Sequence, residues 1–539
     1  MRRLLLAIGA LAAASAAPAQ APQPPRLLLV LSIDQFSANL FDEYRPHFTG
    51  GLARLASGTV FRNGYQGQAA TETCPGHSTI LTGALPARTG IIGNVWIDQS
   101  VGRADKTVYC AEDERVPGST STSYTVSPVH LKVPTLGEIL KKLSPGSRNV
   151  AVSGKDRAAV MMSGHDADQR WYWDGKRFAT DLVSAPVPRS VPLANAAVDR
   201  LVASAEPPLD PPPFCQSKAA PIALGDGRSV GSGRLARAAG DYAQFRRSPS
   251  LDGATLALAA ALIEDLKLGR GRAPDILSVS LSATDYVGHA YGTEGEEMCL
   301  QLFALDREMG DFLRALDKMG LDYSVALTAD HGGEDVPERL RVQGQPDAAR
   351  IDEALLAGNV GKAVAQKLGL SGPVLLGGPS GDVWLDKAIA KATRPRVIEQ
   401  AARIYRSNPQ VQAVFTASEL ERTPLPVGPP DRWSLVERAR ASFDPERSGD
   451  LVVVLKPGIT PIAKPSDGFV ATHGSAWDYD RRVPILFWNS AMAASDREEA
   501  VDTVDLMPTL AAMIGVPVDP ATIDGKCIHG VPGVICPQR

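Results

Sequence analysis

Three aspartates each follow an apolar run rich in β-branched residues: Asp34 closes LLLVLSID, Asp285 follows ILSVSLSAT, and Asp330 closes YSVALTAD. Taken singly, such an aspartate reads as a helix N-cap. Taken together, the three fall at the carboxyl ends of candidate core strands, the edge where open α/β sheets bind ligands. Histidines accompany two of them. Asp285 and His289 stand four apart, one helical turn, and Asp330 adjoins His331, while His473 lies in FVATHGS after another apolar run. One Asp-x-x-x-His alone would read as a surface pair, but three Asp and three His in this arrangement point to metal. Carboxylate and imidazole donors without thiolate suit zinc better than manganese or iron.

A hydroxyl stands near in kind. Pro75 and Gly76 introduce a helix in AATETCPGHSTILTGALPARTGIIGNVW, which places Thr73 at or just before its N-terminus. Backbone N–H groups and the helix dipole favour an anion there, a good setting for an oxygen that must become an alkoxide. On this segment alone, Thr73 also reads as an ordinary N-cap.

The elements that must position these residues are legible as alternating runs. Short apolar segments predict buried strands over Leu27 to Ile33, Asn149 to Val152, Ile276 to Leu281, Tyr323 to Leu327 and Val483 to Trp488. Helical patterns over Pro134 to Leu143, Gly253 to Leu266, Glu296 to Met319 and Ala500 to Ile514 lie between them. The alternation predicts an α/β fold, a three-layer αβα sandwich around a mostly parallel sheet. Residues 205–250, rich in Pro, Gly and Arg, and 335–450, with breaks such as Pro424 to Pro430, fit that core poorly and are expected as insertions beside the site.

Composition sets the outer limits. The 539 residues carry a net charge of -4, which offers no electrostatic case for nucleic acid. Arg2 and Arg3, an apolar run from Leu4 to Ala17, and the small residues of Ala17-Pro18-Ala19 read as a signal peptide over 1–19, with the catalytic domain from 26 to 539. A membrane anchor is the competing reading, but the run is shorter than a bilayer span and prolines follow it at once. A periplasmic or secreted protein without stable membrane insertion is expected. Export permits disulfides, and six cysteines allow fifteen pairings. Cys527 with Cys536 is the easiest pair to propose, and Cys74 with Cys110 and Cys215 with Cys299 complete the set. No CxxC spacing supports a zinc-thiolate site.

The ordered set Thr-x-Pro-Gly-His from Thr73, then Thr-Gly, Gly-Ile-x-Gly-Asn, Asp-x-x-x-His, Asp-His and His-Gly resembles the alkaline phosphatase superfamily. More narrowly, it resembles the branch related to type I phosphodiesterases and nucleotide pyrophosphatases. Within that branch, Lys155 and Arg157 in Ser153-Gly154-Lys155-Asp156-Arg157 match the phosphoryl-binding pair of the threonine-nucleophile monoesterases. The diesterase relatives generally lack that pair. Residues two apart on an extended turn point the same way, so both cations can reach one dianion, although a solvated basic turn has the same spacing. The resemblance implies Thr73 as nucleophile, with Asn94, Lys155 and Arg157 on the phosphoryl oxygens. It also implies two zinc ions, one on Asp285, His289 and His473 and the other on Asp34, Asp330, His331 and the Thr73 oxygen. His77 is implied to pack behind the nucleophile, and His47, His130, His165 and His529 match nothing.

The function implied is an alkaline phosphatase that hydrolyses a broad range of small phosphate monoesters through a phosphothreonine intermediate. A phosphodiesterase or nucleotide pyrophosphatase on the same fold is the alternative. A sulfatase is disfavoured because Cys74-Pro75 is not followed by the Arg of the formylglycine motif. A binding protein that only holds phosphate is the reading from another class, and no motif position looks eroded in its favour. A monomer is expected.

Overall fold

The computed structural model describes residues 24–537, so the expected leader over 1–19 lies outside the described residues. All five expected strands form, each within one residue of its expected bounds. The main sheet has ten strands: β1 Leu27–Ile33, β2 Thr59–Tyr65, β3 Asn149–Ser153, β4 Gln169–Trp173, β5 Phe178–Ala179, β6 Asp275–Leu281, β7 Tyr323–Thr328, β8 Arg482–Trp488, β9 Ser495–Arg497 and β10 Val501–Asp502. Their order is β9-β2-β8-β7-β1-β6-β3-β4-β5, with β10 paired to β2. The run β7-β1-β6-β3-β4 is parallel throughout. Asp34, Asp285 and Asp330 therefore emerge at one rim, past three adjacent strands. The sheet is mostly parallel, as expected, and β8, over the Val483 to Trp488 run, is antiparallel to β7 and to β2.

The period-two alternation of β1 divides the interior. Leu27, Leu29, Leu31 and Ile33 pack into one apolar cluster with helices Pro249–Leu266 and Glu296–Lys318. Leu28 and Val30 face the opposite layer, built from helices α1 Thr73–Thr82, α2 Leu136–Leu143 and Leu506–Met513. The outcome is the expected αβα sandwich. The helix expected over Ala500 to Ile514 begins only at Leu506, because Asp502 accepts from Val504 N and opens a 3-10 turn first. Segments Leu375–Gly377, Gly381–Leu385, Val411–Thr416 and Leu451–Leu455 form a separate four-stranded sheet with its own apolar cluster, which takes in Val383, Val397, Tyr405 and Val453. Residues 205–250 hold only short elements, among them the hairpin Ile222–Ala223 with Ser229–Val230. All six cysteines pair, as Cys74–Cys110, Cys215–Cys299 and Cys527–Cys536.

Candidate active site

The nucleophile candidate begins α1. Thr73 is fully buried at the first helical position, behind Glu72, so its hydroxyl sits at the positive end of the helix dipole. Gly76 lets this helix approach the sheet edge: a Cβ at that position would lie 2.0 Å from the carbonyl oxygen of Asp330. Asn94 is tied to the same turn. Its Oδ1 accepts from Cys74 N at 2.8 Å and its backbone N–H donates to Glu72 Oε2 at 2.7 Å, while the Cys74–Cys110 bridge closes the loop that carries it.

All ten residues expected in the site meet at this rim. Asp285 and His289 lie on helix Ala283–Tyr291, which follows β6, and the Asp285 Oδ1 stands 3.3 Å from both His289 Nε2 and His473 Nε2. His331 Nε2 stands 3.3 Å from Asp330 Oδ2 and 3.5 Å from Asp34 Oδ1. The His331 ring stacks on His473 with centroids 3.6 Å apart, so it lies between the two groups of ligands. Each imidazole is oriented from behind by a backbone carbonyl at 2.8 Å from its Nδ1: Ala471 for His289, Gly332 for His331 and Thr71 for His473. These bonds leave Nε2 of every ring as the lone-pair donor that faces the site.

Metal fits these residues. Asp34 Oδ1, Asp285 Oδ1, Asp330 Oδ2 and His331 Nε2 are buried without a hydrogen-bond partner, an arrangement that costs free energy unless a cation satisfies it. Two convergent sets, Asp34 with Asp330 and His331, and Asp285 with His331 and His473, each offer atoms within 4.8 Å of one another.

Electrostatics follow from the crowding. Burial, then the neighbouring charge of Asp330, pushes Asp34 well above the ordinary carboxylate range. Burial also opposes ionisation of Asp285, but His289 and Lys155 outweigh it and hold that carboxyl well below. Burial pushes His331 down to about 3, which keeps it neutral and able to ligate.

The two cations expected on phosphate are both here. Lys155 Nζ lies 2.6 Å from Asp34 Oδ2, 2.5 Å from Asp285 Oδ2 and 3.4 Å from Thr73 Oγ1, and Arg157 Nη2 lies 3.3 Å from the same hydroxyl oxygen. They flank the start of helix α3, Asp156–Ser163. Asp156 is held between Tyr109 and Tyr124, whose hydroxyls donate to it at 2.7 and 2.8 Å.

Other supporting residues carry no clear signal in the residue order. Gln35, next to Asp34, adopts a positive φ of 63° and turns its N–H toward Asp330 Oδ1 at 3.2 Å. His77, expected to pack behind the nucleophile, has Nδ1 2.9 Å from Thr73 O and Nε2 2.9 Å from Ser280 Oγ, with Asp330 Oδ2 at 3.0 Å from Nδ1, so it lies behind the nucleophile and beside a candidate ligand.

The profile of the type I phosphodiesterase/nucleotide pyrophosphatase family matches residues 28–476. The chain is 52% identical over 518 residues to alkaline phosphatase PhoK of Sphingomonas sp, spanning 95% of this chain and 92% of that one. It is 47% identical over 520 residues to alkaline phosphatase PhoD of Zymomonas mobilis, spanning 95% and 90%. Its fold matches the solved structure of wild-type alkaline phosphatase PafA with a TM-score of 0.81 at 24% identity, over 94% of this chain and 99% of that one. With its candidate ligands gathered at one strand-end rim, the chain belongs to the type I phosphodiesterase/nucleotide pyrophosphatase family of the alkaline phosphatase superfamily.

Proposed function

We propose that this chain is an exported, two-zinc phosphate monoesterase that passes the phosphoryl group of small phosphate esters first to Thr73 and then to water. The observation that carries the reading is the pair Lys155 and Arg157, whose cationic ends lie 3.4 and 3.3 Å from the Thr73 hydroxyl. Two cations on one attacking oxygen suit a dianionic monoester better than the singly charged diester of the alternative reading. The relatives named alkaline phosphatase support the same choice. The three disulfides and the expected leader support export.

One zinc is assigned to Asp285, His289 and His473, the other to Asp34, Asp330, His331 and the Thr73 oxygen. When bound, the pair supplies a lowered hydroxyl pKa at Thr73 and charge stabilisation at the departing oxygen. Thr73 gives up its hydroxyl proton to solvent and its Oγ1 bonds to phosphorus as the opposite ester P–O bond breaks, and the departing alkoxide takes a proton from solvent. Water then displaces Thr73 from phosphorus, which releases inorganic phosphate and restores the hydroxyl. Lys155 and Arg157 hold the non-bridging oxygens through both displacements. Asn94, its Oδ1 engaged by Cys74 N, presents its amide N–H to the same oxygens. Each in-line displacement inverts phosphorus, so the product retains configuration.

Kinetics on an aryl phosphate and its matched aryl diester test the reading. A much higher kcat/KM on the monoester is expected, and a large preference for the diester would remove it.

A further inference from the structure

A cavity of about 560 Å³ opens directly beside the metal-ligand rim, between the core and the four-stranded sheet of the insertion. His473 lies in its wall next to Glu72, which immediately precedes the nucleophile. Phe469 also lines it, with its ring 5.0 Å from that of His289. In the proposed reaction, His289 and His473 stand on the side of the departing oxygen. The cavity thus begins where the alcohol of a phosphate ester must lie.

Its walls have a definite chemistry. Trp96 and Val95 come from the short strand after Asn94, Trp384 from the insertion, Ile462 from the chain just beyond it, and Phe469 from the segment before His473. Val95 is 49% exposed and Phe469 42% exposed, large apolar side chains facing open space at the rim of a functional site. The insertion side is fixed in place. Gln99 Nε2 donates to Leu385 O at 2.9 Å, and Trp384 Nε1 donates to Arg447 O at 3.0 Å.

The charged lining is one-sided. Among the described residues that line it, Glu72, Glu334, Asp382 and Asp480 are acidic, and Lys456 is the one Lys or Arg. Negative charge is already disfavoured there. Burial in the wall, then the nearby Glu72, pushes Asp382 up to about 7, and burial with Asp480 pushes Glu334 up to about 8.

We infer that this cavity is the leaving-group site, built to take an aromatic or bulky apolar alcohol without further negative charge, and to disfavour esters whose alcohol carries a second anion. The inference rests on the phosphatase reading and adds the class of substrate. Apolar area covered by the aryl group would strengthen binding of the alcohol end. Above about pH 8, where Asp382 and Glu334 are ionised, a second anion would meet the acidic wall at short range inside a partly water-excluded space. The insertion then acts as a specificity element, since the Trp384 wall and Asp382 belong to it.

The test compares 1-naphthyl phosphate, a sulfonated naphthyl phosphate of matched leaving-group acidity, and glycerol phosphate, with the zinc-loaded full-length enzyme. Assayed at about pH 9, where Asp382 and Glu334 are ionised, wild type is expected to favour the neutral naphthyl ester over the sulfonated one by about tenfold or more in kcat/KM. Phe469→Ala should lower the naphthyl-to-glycerol ratio by about fivefold, because the ring it removes covers apolar substrate surface. Asp382→Asn should narrow the discrimination against the sulfonate. Competitive inhibition by inorganic phosphate reports whether the phosphoryl end of each variant is intact. If wild type turns over none of the three esters, the phosphatase reading fails and the inference falls with it. If it turns them over but handles the neutral and sulfonated esters equally, the inference alone is overturned. A naphthyl-to-glycerol ratio unmoved in Phe469→Ala would overturn it as well.

Discussion

Replacing Lys155 by Ala removes one of two cations that face Thr73, and the structure allows the loss to be worked through. Its Nζ sits 3.4 Å from Thr73 Oγ1, within reach of a phosphoryl oxygen bound there, and Arg157 Nη2 occupies the matching place at 3.3 Å. A hydrogen bond to a charged partner contributes about 1.5–3 kcal/mol, which corresponds to about 10- to 150-fold in kcat/KM. A monoester dianion should lose that whole factor. A diester carries one charge fewer and should lose less than about tenfold. The assay is release of nitrophenolate from para-nitrophenyl phosphate and from its methyl diester, with both proteins saturated with zinc. A second consequence serves as a control. Lys155 also lies 2.6 Å from Asp34 and 2.5 Å from Asp285, so the variant buries two carboxylates without their partner, and its metal-free form should melt well below wild type. Equal losses on the two esters would refute the reasoning, because they would make Lys155 a general support of the site and not a reader of phosphoryl charge.

Three further outcomes are expected. Chelation should abolish turnover and lower the melting temperature, since buried carboxylate oxygens of Asp34, Asp285 and Asp330 are left without partners, and added zinc should restore both. Gly76→Ala should lower kcat about 100-fold with little change in metal content, because a Cβ 2.0 Å from Asp330 O forces the start of α1 away from the rim. Asp252 supports the N-terminus of the helix that bears Asp285 by accepting from Ala283 N at 3.0 Å, and burial pushes its carboxyl up to about 7. Its folded pKa is raised, so its stabilising share is full below the unfolded carboxylate pKa and is lost as pH rises through about 7. Asp252→Asn should therefore gain on wild type in denaturant melts as pH rises from about 5 to 8.

How much of this is legible in the residue order depends on what each element buries. β1, β6 and β7 are covered on both faces and read as unbroken apolar runs, so the rim with Asp34, Asp285 and Asp330 at their ends follows from the sequence. β2 escapes that pattern because Arg62, Asn63 and Gly64 interrupt TVFRNGY, and β4 because it opens on Gln169 and Arg170, whose burial depends on tertiary partners such as Asp181. The direction of β8 cannot be read from its apolar run, since a strand buried on both faces looks alike in either sense. The separate four-stranded sheet is half-covered and short-stranded, which leaves it looking like amphipathic fragments.

The site shows the same division. Candidate ligands and cations announce themselves by residue type, and the chain brings them to one rim. Their supports do not announce themselves. Gln35 gives no local sign of its left-handed turn, and the grip of Tyr109 and Tyr124 on Asp156 joins residues 47 and 32 positions apart. Helix boundaries are recoverable where a side chain caps them. The helix expected from Pro134 starts at Leu136 because Thr135 and Glu138 form a capping box.

The account turns on a covalent phosphoryl–Thr73 step, and the stereochemical course at phosphorus tests it most directly. A monoester made chiral at phosphorus with oxygen isotopes would be transferred by the zinc-loaded enzyme to an acceptor alcohol and the product's configuration read. Retention is predicted, from two successive inversions with Thr73 between them. Inversion would mean that the acceptor attacks the substrate directly, and the role assigned to Thr73 would be contradicted.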